Sequence, residues 1–455
     1  MITFKRKIYQ QLLKWKEGNG ASALLIEGAR RIGKSTIVEE FAKREYKSYI
    51  LVDLNNMTKE VEHLVRNHLG DIDMFLMLLA AAYQVDLHER NSLIIFDEVQ
   101  KIPTIREKMK YFVADGRYDY IETGSLISIR ENVKDITIPS EEDSIKMYPM
   151  DFEEYMWAMG EGKTLDTIRY FYDKREPIPQ AFHNKFMLLF RQYMIVGGMP
   201  KPLAVYLESN RNFGAVDLEK RRILKLYRND IMKIDKLYRA KVLGIYDQIP
   251  GLLSKHEKRV MLNGIVEGSR YEAYEDTFFW LEDSMIANMC FSCNDPNVGL
   301  SIAEDRTSVK CYMGDTGLLI SHAFSENQIK KDDLYTQLLL GKLSLNEGML
   351  FENMVAQMLV SQGNKLFFYT HYNAEMKRND IEIDFLVTNP SRAIFKVTPI
   401  EAKSTRTYST VSLERFAKRF HERVGGQIVI HTKNLKEENG VLYLPAYMTF
   451  CLPKE

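Results

Sequence analysis

Cysteine is scarce: Cys290, Cys293, Cys311 and Cys451 are the only four in 455 residues. So few thiols cannot form a disulfide scaffold. Cys290-x-x-Cys293 matches half of a zinc knuckle, but no second pair or suitably placed histidine completes it. Reduced thiols, partly in a core, are expected instead. Net charge is absent as well. Lys plus Arg total 62 and Asp plus Glu total 62, which excludes a global field for nucleic acid or membrane, so any nucleic-acid surface must be local. Long apolar runs are missing too. The longest, MFLMLLAAAY at 74–83, is far too short to span a bilayer and reads as a buried helix. The opening MITFKRKIYQ lacks the apolar segment of a signal peptide. The chain is expected in the cytoplasm, with no membrane partner.

What is present suits a globular protein with several cores, 45% hydrophobic and 27% charged. The length fits about three domains of ordinary size. ASALLIEGARRIGKSTIVEEFAKRE, 21–45, runs from an apolar strand through a glycine turn into an amphipathic helix. Within it Gly28-Ala29-Arg30-Arg31-Ile32-Gly33-Lys34-Ser35 fits G-x4-G-K-[ST] at every position, with Thr36 next in the helix. The spacing has a chemical reason. Gly28 and Gly33 let backbone amides close around phosphate oxygens, and the helix beginning near Lys34 turns its positive end toward them. Lys34 would reach the β- and γ-phosphates of ATP, and the Ser35 hydroxyl would ligate Mg²⁺.

Such a loop needs an apolar strand that ends in acid. NSLIIFDEVQ supplies Leu93–Phe96 followed by Asp97 and Glu98. Asp97 would hold the Mg²⁺, and Glu98 would act as base on the attacking water. A third strand, YDYIETGS, ends in Thr123, Gly124 and Ser125. Thr123 and Ser125 either sense the γ-phosphate or cap a following helix. SYILVDLN at 48–55 reads as a further buried strand.

LLIEGARRIGKST, IIFDEVQ, TGS, YPMDFEEY at 148–155 and GGMP at 197–200 together resemble one family. It comprises the bacterial and archaeal P-loop ATPases with an AAA-type core, related to the archaeal-type and STAND-like groups. The likeness spans nearly the whole chain. It implies a parallel sheet in which the Asp97 strand is not adjacent to the P-loop strand. It also implies a winged-helix module ending in a motif like MGDTGLL, 313–319, and often a restriction-endonuclease-like domain at the C-terminus.

Residues 151–240 have helical apolar spacing, broken by GGMPKP at 197–202. The stretch 219–241 carries nine basic and three acidic side chains. It is either a solvated helix face or the source of an arginine finger, Arg222 or Arg228. Residues 242–320 read as short helices and a strand pair, in keeping with the winged helix, whose expected role is protein contact.

In the last third, NEGMLFENMVAQMLVSQG places Leu350, Phe351, Met354, Val355, Met358 and Leu359 on one helical face with Glu352 at its edge. DIEIDFLV, 380–387, alternates Ile381, Ile383 and Phe385 with Glu382 and Asp384. AIFKVTPIEAKS then gives a second strand with Glu401 and Lys403 on one face. Helix acid, strand acid and Glu-x-Lys on the adjoining strand form the PD-(D/E)xK pattern. By that resemblance Asp384 and Glu401 would chelate Mg²⁺ with Glu352 assisting, and Lys403 would orient water or stabilise the phosphorane.

The expected architecture is α/β: a P-loop ATPase core at 1–150, a helical lid at 151–240, a winged-helix-like module at 241–340 and a PD-(D/E)xK nuclease-like domain at 341–455. The expected activity is Mg²⁺-dependent ATP hydrolysis controlling a C-terminal domain that cleaves or binds DNA or RNA. Two alternatives stand beside it: an ATP-dependent adaptor with a catalytically silent C-terminal domain, and a signalling ATPase that faces only proteins. Neither oligomeric state nor an arginine finger is fixed by these motifs.

Overall fold

Apolar runs too short for a helix and bounded by turn residues become strands, and their number on each side of the chain's middle sets the architecture. The computed structural model describes residues 2–125, 140–234, 236–255, 259–260, 274–297, 299–324, 331–341, 347–388 and 396–453. It divides into two compact units, Met1–Tyr148 with Asp283–Met285, and Pro149–Glu282 with Ile286–Glu455. No helix among the described residues is long and apolar enough to cross a membrane.

The first unit holds a sheet of β1 (Ala23–Glu27), β2 (Ser48–Asp53), β3 (Ser92–Asp97), β4 (Asp119–Gly124) and β5 (Glu142–Lys146), in the order β2-β3-β4-β1-β5. All four pairings are parallel. As the resemblance implies, β4 separates the Asp97 strand from the P-loop strand. Central β1, β3 and β4 are buried along their whole length, which is why their sequences run apolar without alternation. The expectation that SYILVD is a buried strand needs correction. As β2 it is the sheet edge, and only Ile50 and Val52 are buried.

Helices Lys59–Asn67, Ile72–Tyr83 and Thr104–Asp115 close one core against this sheet, with Val61, Leu64, Phe75, Leu79, Ile105, Met109 and Phe112 meeting Leu25, Val52, Ile94, Phe96 and Tyr120. Burying a side chain such as Phe75 or Leu79 stabilises by about 1.5–3 kcal/mol each. The Asp71 carboxylate caps the second of these helices by accepting the Met74 N–H at 3.0 Å. The reading of 74–83 as a buried helix holds for only one face. Phe75, Leu76 and Leu79 are buried, whereas Met77 is 64% exposed and Met74 and Leu78 are exposed beside it.

The second unit opens with helices at Phe152–Ala158, Gly162–Lys174, Gln180–Val196, Pro200–Glu208 and Phe213–Ile231. It contains a mixed sheet of β6 (Ala287–Cys293), β7 (Glu304–Met313), β8 (Leu366–Asn373), β9 (Arg378–Thr388), β10 (Val397–Lys403), β11 (Gln427–His431), β12 (Lys436–Glu438) and β13 (Val441–Pro445). Their order is β12-β13-β11-β10-β9-β8-β6-β7. The strand pair expected of a winged helix, β6 and β7, is therefore the edge of this large sheet, joined to it by parallel pairing of β6 with β8. Parts of that segment, 256–258, 261–273 and 298, lie outside the described residues.

Helix Glu347–Ser361 lies against β6, β7, β8 and β10, and every residue from Met349 to Leu359 is buried. Its polar members are matched to fixed partners, as burial demands. Asn353 accepts the Met313 N–H at 2.8 Å and donates to the Met313 carbonyl at 3.1 Å, finishing the end of β7. GGMP and MGDTGLL also pack together. The Asp315 carboxylate accepts the Gly198 and Leu318 N–H groups at 2.5 and 2.8 Å. A Cβ on Gly197 would sit 2.4 Å from Asp315 Oδ1.

Candidate functional site

Gly28 ends β1 where only a hydrogen fits. A Cβ there would lie 2.4 Å from the Met147 carbonyl and 2.4 Å from Ile32 Cδ1. The loop turns back through Arg31 and Gly33, both at positive φ of 73° and 94°, and helix Lys34–Glu45 starts with no side chain capping its first amides. Those amides point at whatever fills the loop, an arrangement suited to phosphate. Ala29 and Ile32 are buried, Arg30 is half-buried, and Arg31 and Thr36 are exposed.

Lys34 is buried within the loop, its ammonium donating to the Gly28 and Ala29 carbonyls at 2.8 and 3.1 Å. Burial lowers its affinity for the proton, and the Glu98 and Asp97 carboxylates oppose that. The Ser35 hydroxyl donates to Asp97, 2.8 Å from each carboxylate oxygen. From β4 the Thr123 hydroxyl donates to Asp97 Oδ1. Burial raises the Asp97 carboxyl above its ordinary value, while the hydrogen bonds from Thr123 and Ser35 pull it down. Ser35 and Asp97 thus offer hard oxygens at one point, the donor chemistry that Mg²⁺ selects. The glycine cradle and Lys34 likewise fit a polyphosphate.

Glu98 is a non-glycine residue at φ 61°, ψ 49°. Backbone held in that sparsely populated region is characteristic of functional sites. Its carboxylate accepts a hydrogen bond from the Gln100 amide, and its N–H donates to Thr123 Oγ1 at 3.4 Å. Ser125 is half-buried at the end of β4. Residues 126–139, where a capped helix would follow, lie outside the described residues.

Sequence motifs did not point to two members of this site. Asp53 ends β2 in register with Asp97 and adds to the upward push on its carboxyl. Arg6, far upstream, is buried and donates to the Ile32 carbonyl at 2.9 Å and the Tyr148 carbonyl at 2.6 Å, fixing the loop's far wall. No local pattern announces an arginine that acts on the backbone 26 residues away.

The second constellation lies where helix Glu347–Ser361 packs on the mixed sheet. Glu352, Asp384, Glu401 and Lys403 come together, and β7 adds Lys310 and Tyr312. Lys403 Nζ is 3.0 Å from Glu401 Oε2. Lys310 Nζ is 3.3 Å from Glu352 Oε1 and 3.7 Å from Asp384 Oδ1. The Tyr312 hydroxyl donates to Glu352, and the Ala402 N–H donates to Asp384 Oδ2 at 2.9 Å. Burial would lower the Lys310 ammonium, but Glu352 and Asp384 hold it above its ordinary value. Burial pushes Glu401 up to about 7, with Lys403 opposing and Asp384 adding.

Two ammonium groups therefore meet three carboxylates. Among the described residues no group of three or more His, Cys, Asp or Glu side chains is arranged to hold a metal ion. The donor set does not fit an Mg²⁺ ion while Lys310 stands between Glu352 and Asp384.

Other candidates from the sequence fall elsewhere. Cys290 and Cys293 are both buried on β6. Burial pushes Cys293 up to about 11, so both behave as core thiols. Arg222 pairs with Glu219 on its own helix and Arg228 with Asp247, both arginines exposed. Lys220, in the same basic run, is instead fully buried and donates to the Ile195 carbonyl at 2.7 Å.

The parallel sheet, the glycine loop and the Ser35–Asp97 junction define an α/β domain of P-loop type. Residues 21–156 match the family model of the AAA domain. Residues 187–329 and 347–447 match two domains of unknown function, DUF8612 and DUF4143. No curated protein matches the chain. Among solved structures, a Walker-type ATPase of Pyrococcus abyssi is similar at 16% identity and a TM-score of 0.42, covering 70% of this chain and 96% of its own. The Thermotoga maritima RuvB Holliday junction branch migration motor aligns at 11% identity and a TM-score of 0.29, over 68% and 92%. Cdc6p from Pyrobaculum aerophilum aligns at 11% and 0.27, over 74% and 96%.

Proposed function

We propose that the protein is an ATP-hydrolysing switch whose nucleotide state governs a C-terminal, restriction-endonuclease-like domain that engages nucleic acid. The observation that carries the first half is the Ser35–Asp97 contact, which ties the glycine loop to the acidic strand end with Lys34 beside it. The loop amides and Lys34 would hold the phosphates. Ser35 and Asp97 would hold Mg²⁺, which when bound neutralises phosphate charge. Thr123 fixes the Asp97 carboxylate, and Glu98, oriented by Gln100, would take the proton of the attacking water. Loss of ATP binding in Lys34→Ala is expected, and undiminished binding would remove this site.

For the second half, the acid–lysine cluster of Glu352, Asp384, Glu401 and Lys403 supports the PD-(D/E)xK likeness. One contact favours the catalytically silent form over the cleaving form: Lys310 lies against Glu352 and Asp384, where a cleaving enzyme of this pattern would place a cation. We therefore assign no metal-dependent step to this cluster. Its role is to shape a surface that binds DNA or RNA. Incubating the pure protein with Mn²⁺ and mixed DNA and RNA, with and without ATP, separates the forms. Binding without cleavage is the expected result. Cleavage that disappears in Asp384→Ala would establish the nuclease instead.

A further inference from the structure

Parallel strands β10 and β11 end side by side, with Lys403 opposite His431 in register. Beyond those ends the chain makes two turns, one leading to Tyr408 and the other through Lys433 and Asn434. Between them opens a cavity of about 660 Å³, in the crevice outside the carboxyl ends of strands where α/β sheets commonly bind ligands.

Its floor is pre-formed. His431 is 3% exposed, and burial pushes its imidazole down to about 4, so the ring is neutral at neutral pH. Nε2 lies 3.1 Å from the Asn434 carbonyl, which can only accept, so this nitrogen carries the proton. Nδ1 then accepts from the Tyr408 hydroxyl at 2.7 Å. The Asn434 side chain locks the turn by accepting the Ile178 N–H at 3.0 Å and donating to the Ile178 carbonyl. The walls are aromatic and cationic. The rings of Tyr408 and Tyr443 lie 6.0 and 5.9 Å from that of His431. Lys433 Nζ is 5.3 Å from the Tyr408 ring centre. Lys436 pairs with Glu438 at 2.6 Å, whereas Arg406 and Lys433, the other cations of the lining, have no ion pair among the described residues.

Two cations beside two accessible aromatic rings suit an anion attached to a flat ring. We propose that this cavity binds one nucleotide of a single-stranded nucleic acid, its phosphate on Arg406 and Lys433 and its base against Tyr408 and Tyr443. The source is taken as a strand rather than a free nucleotide because His431, on the cavity floor, is the register partner of Lys403, which ends the neighbouring strand that also carries Glu401. This rests on the nucleic-acid half of the proposed function.

The test uses the full chain, without ATP, and fluorescence anisotropy of a labelled single-stranded DNA or RNA dodecamer. Tyr408→Ala should weaken binding by about 5- to 150-fold, the usual effect of losing one base–aromatic stack. Tyr408→Phe, which keeps the ring, should bind within about threefold of wild type on the same reasoning. Arg406→Glu with Lys433→Glu should weaken binding and flatten its salt dependence. ATP turnover should be unchanged in all three, reporting an intact fold of the first unit. In Lys34→Ala, AMP serves as the mononucleotide probe and should bind far more weakly than the dodecamer. Dodecamer binding that survives Tyr408→Ala and the double charge reversal overturns the cavity and leaves the nucleic-acid reading standing. AMP binding as tight as the dodecamer overturns the strand as source. No binding of either probe by wild type overturns both readings.

Discussion

Replacing Lys310 with methionine keeps most of the side chain's length and removes its charge, isolating what the ammonium does for the acid cluster. In the wild type it lies 3.3 Å from Glu352 and 3.7 Å from Asp384, with only 11% of its side chain exposed. Removing one partner of such a buried pair costs about 3–5 kcal/mol, because the remaining charge is left uncompensated. Tyr312 still donates to Glu352 and the Ala402 N–H to Asp384, so the loss should fall near the lower end, about 3 kcal/mol.

Urea unfolding of the full chain, followed by circular dichroism, measures this. The first unit's transition is recognised by its shift on adding Mg²⁺ and ATP. The variant should lose stability in the other transition alone. Mn²⁺ should restore part of it, by about 2.7 kcal/mol at a hundredfold excess over its dissociation constant, because a cation then replaces the ammonium. The same transition in wild type should not respond. A variant within about 1 kcal/mol of wild type, the ordinary worth of an exposed pair, would refute the reasoning. Equal Mn²⁺ stabilisation of wild type would show a cation site coexisting with Lys310 and would restore metal-dependent cleavage as the better account.

Two further perturbations probe the second unit. Glu401 titrates near 7 when folded against an ordinary 4.5, so the folded state holds its proton more tightly than the unfolded chain. That contribution to stability is complete below the ordinary value and is lost as pH rises through about 7. Glu401→Gln, which mimics the protonated form, should match wild type near pH 4.5 and exceed it by about 3 kcal/mol above pH 7.5. A pH-independent difference between the two would contradict the assignment. Gly197 stands at φ 83°, ψ −178° with Asp315 Oδ1 2.4 Å from any added Cβ. Gly197→Ala should cost about 3 kcal/mol or more. Gly426→Ala, with nothing within 4 Å of its Cβ, is the matched control and should change stability little.

Sequence patterns revealed the parts whose chemistry is local. A P-loop is read from eight consecutive residues because its backbone turn, its lysine and its hydroxyl must all be adjacent in the chain. Asp97 was visible because an apolar strand that stops at an acid is itself a short pattern. The Glu401–Lys403 pair was visible because period-two alternation places both on one face. What stayed hidden comes from long-range packing. Lys310 and Tyr312 reach the acid cluster from β7, 42 and 40 residues before Glu352, and nothing near them in the chain marks them as its partners. The winged-helix expectation for 242–320 rested on element order and on the family resemblance, neither of which gives strand order in a sheet, because that is decided by which edges pair. Likewise, an unbroken apolar run at 74–83 gives no hint that one face of its helix is exposed. Composition measures hydrophobicity but not which side has a neighbour.

Release of phosphate from ATP in the presence of Mg²⁺, compared among wild type, Lys34→Ala and Glu98→Gln, tests the central claim most directly. Wild type should turn over. Lys34→Ala should neither bind nor hydrolyse. Glu98→Gln should bind ATP while losing at least about 100-fold in rate, the usual contribution of a positioned general base. Phosphate release by Lys34→Ala at the wild-type rate, or none by wild type itself, would contradict it.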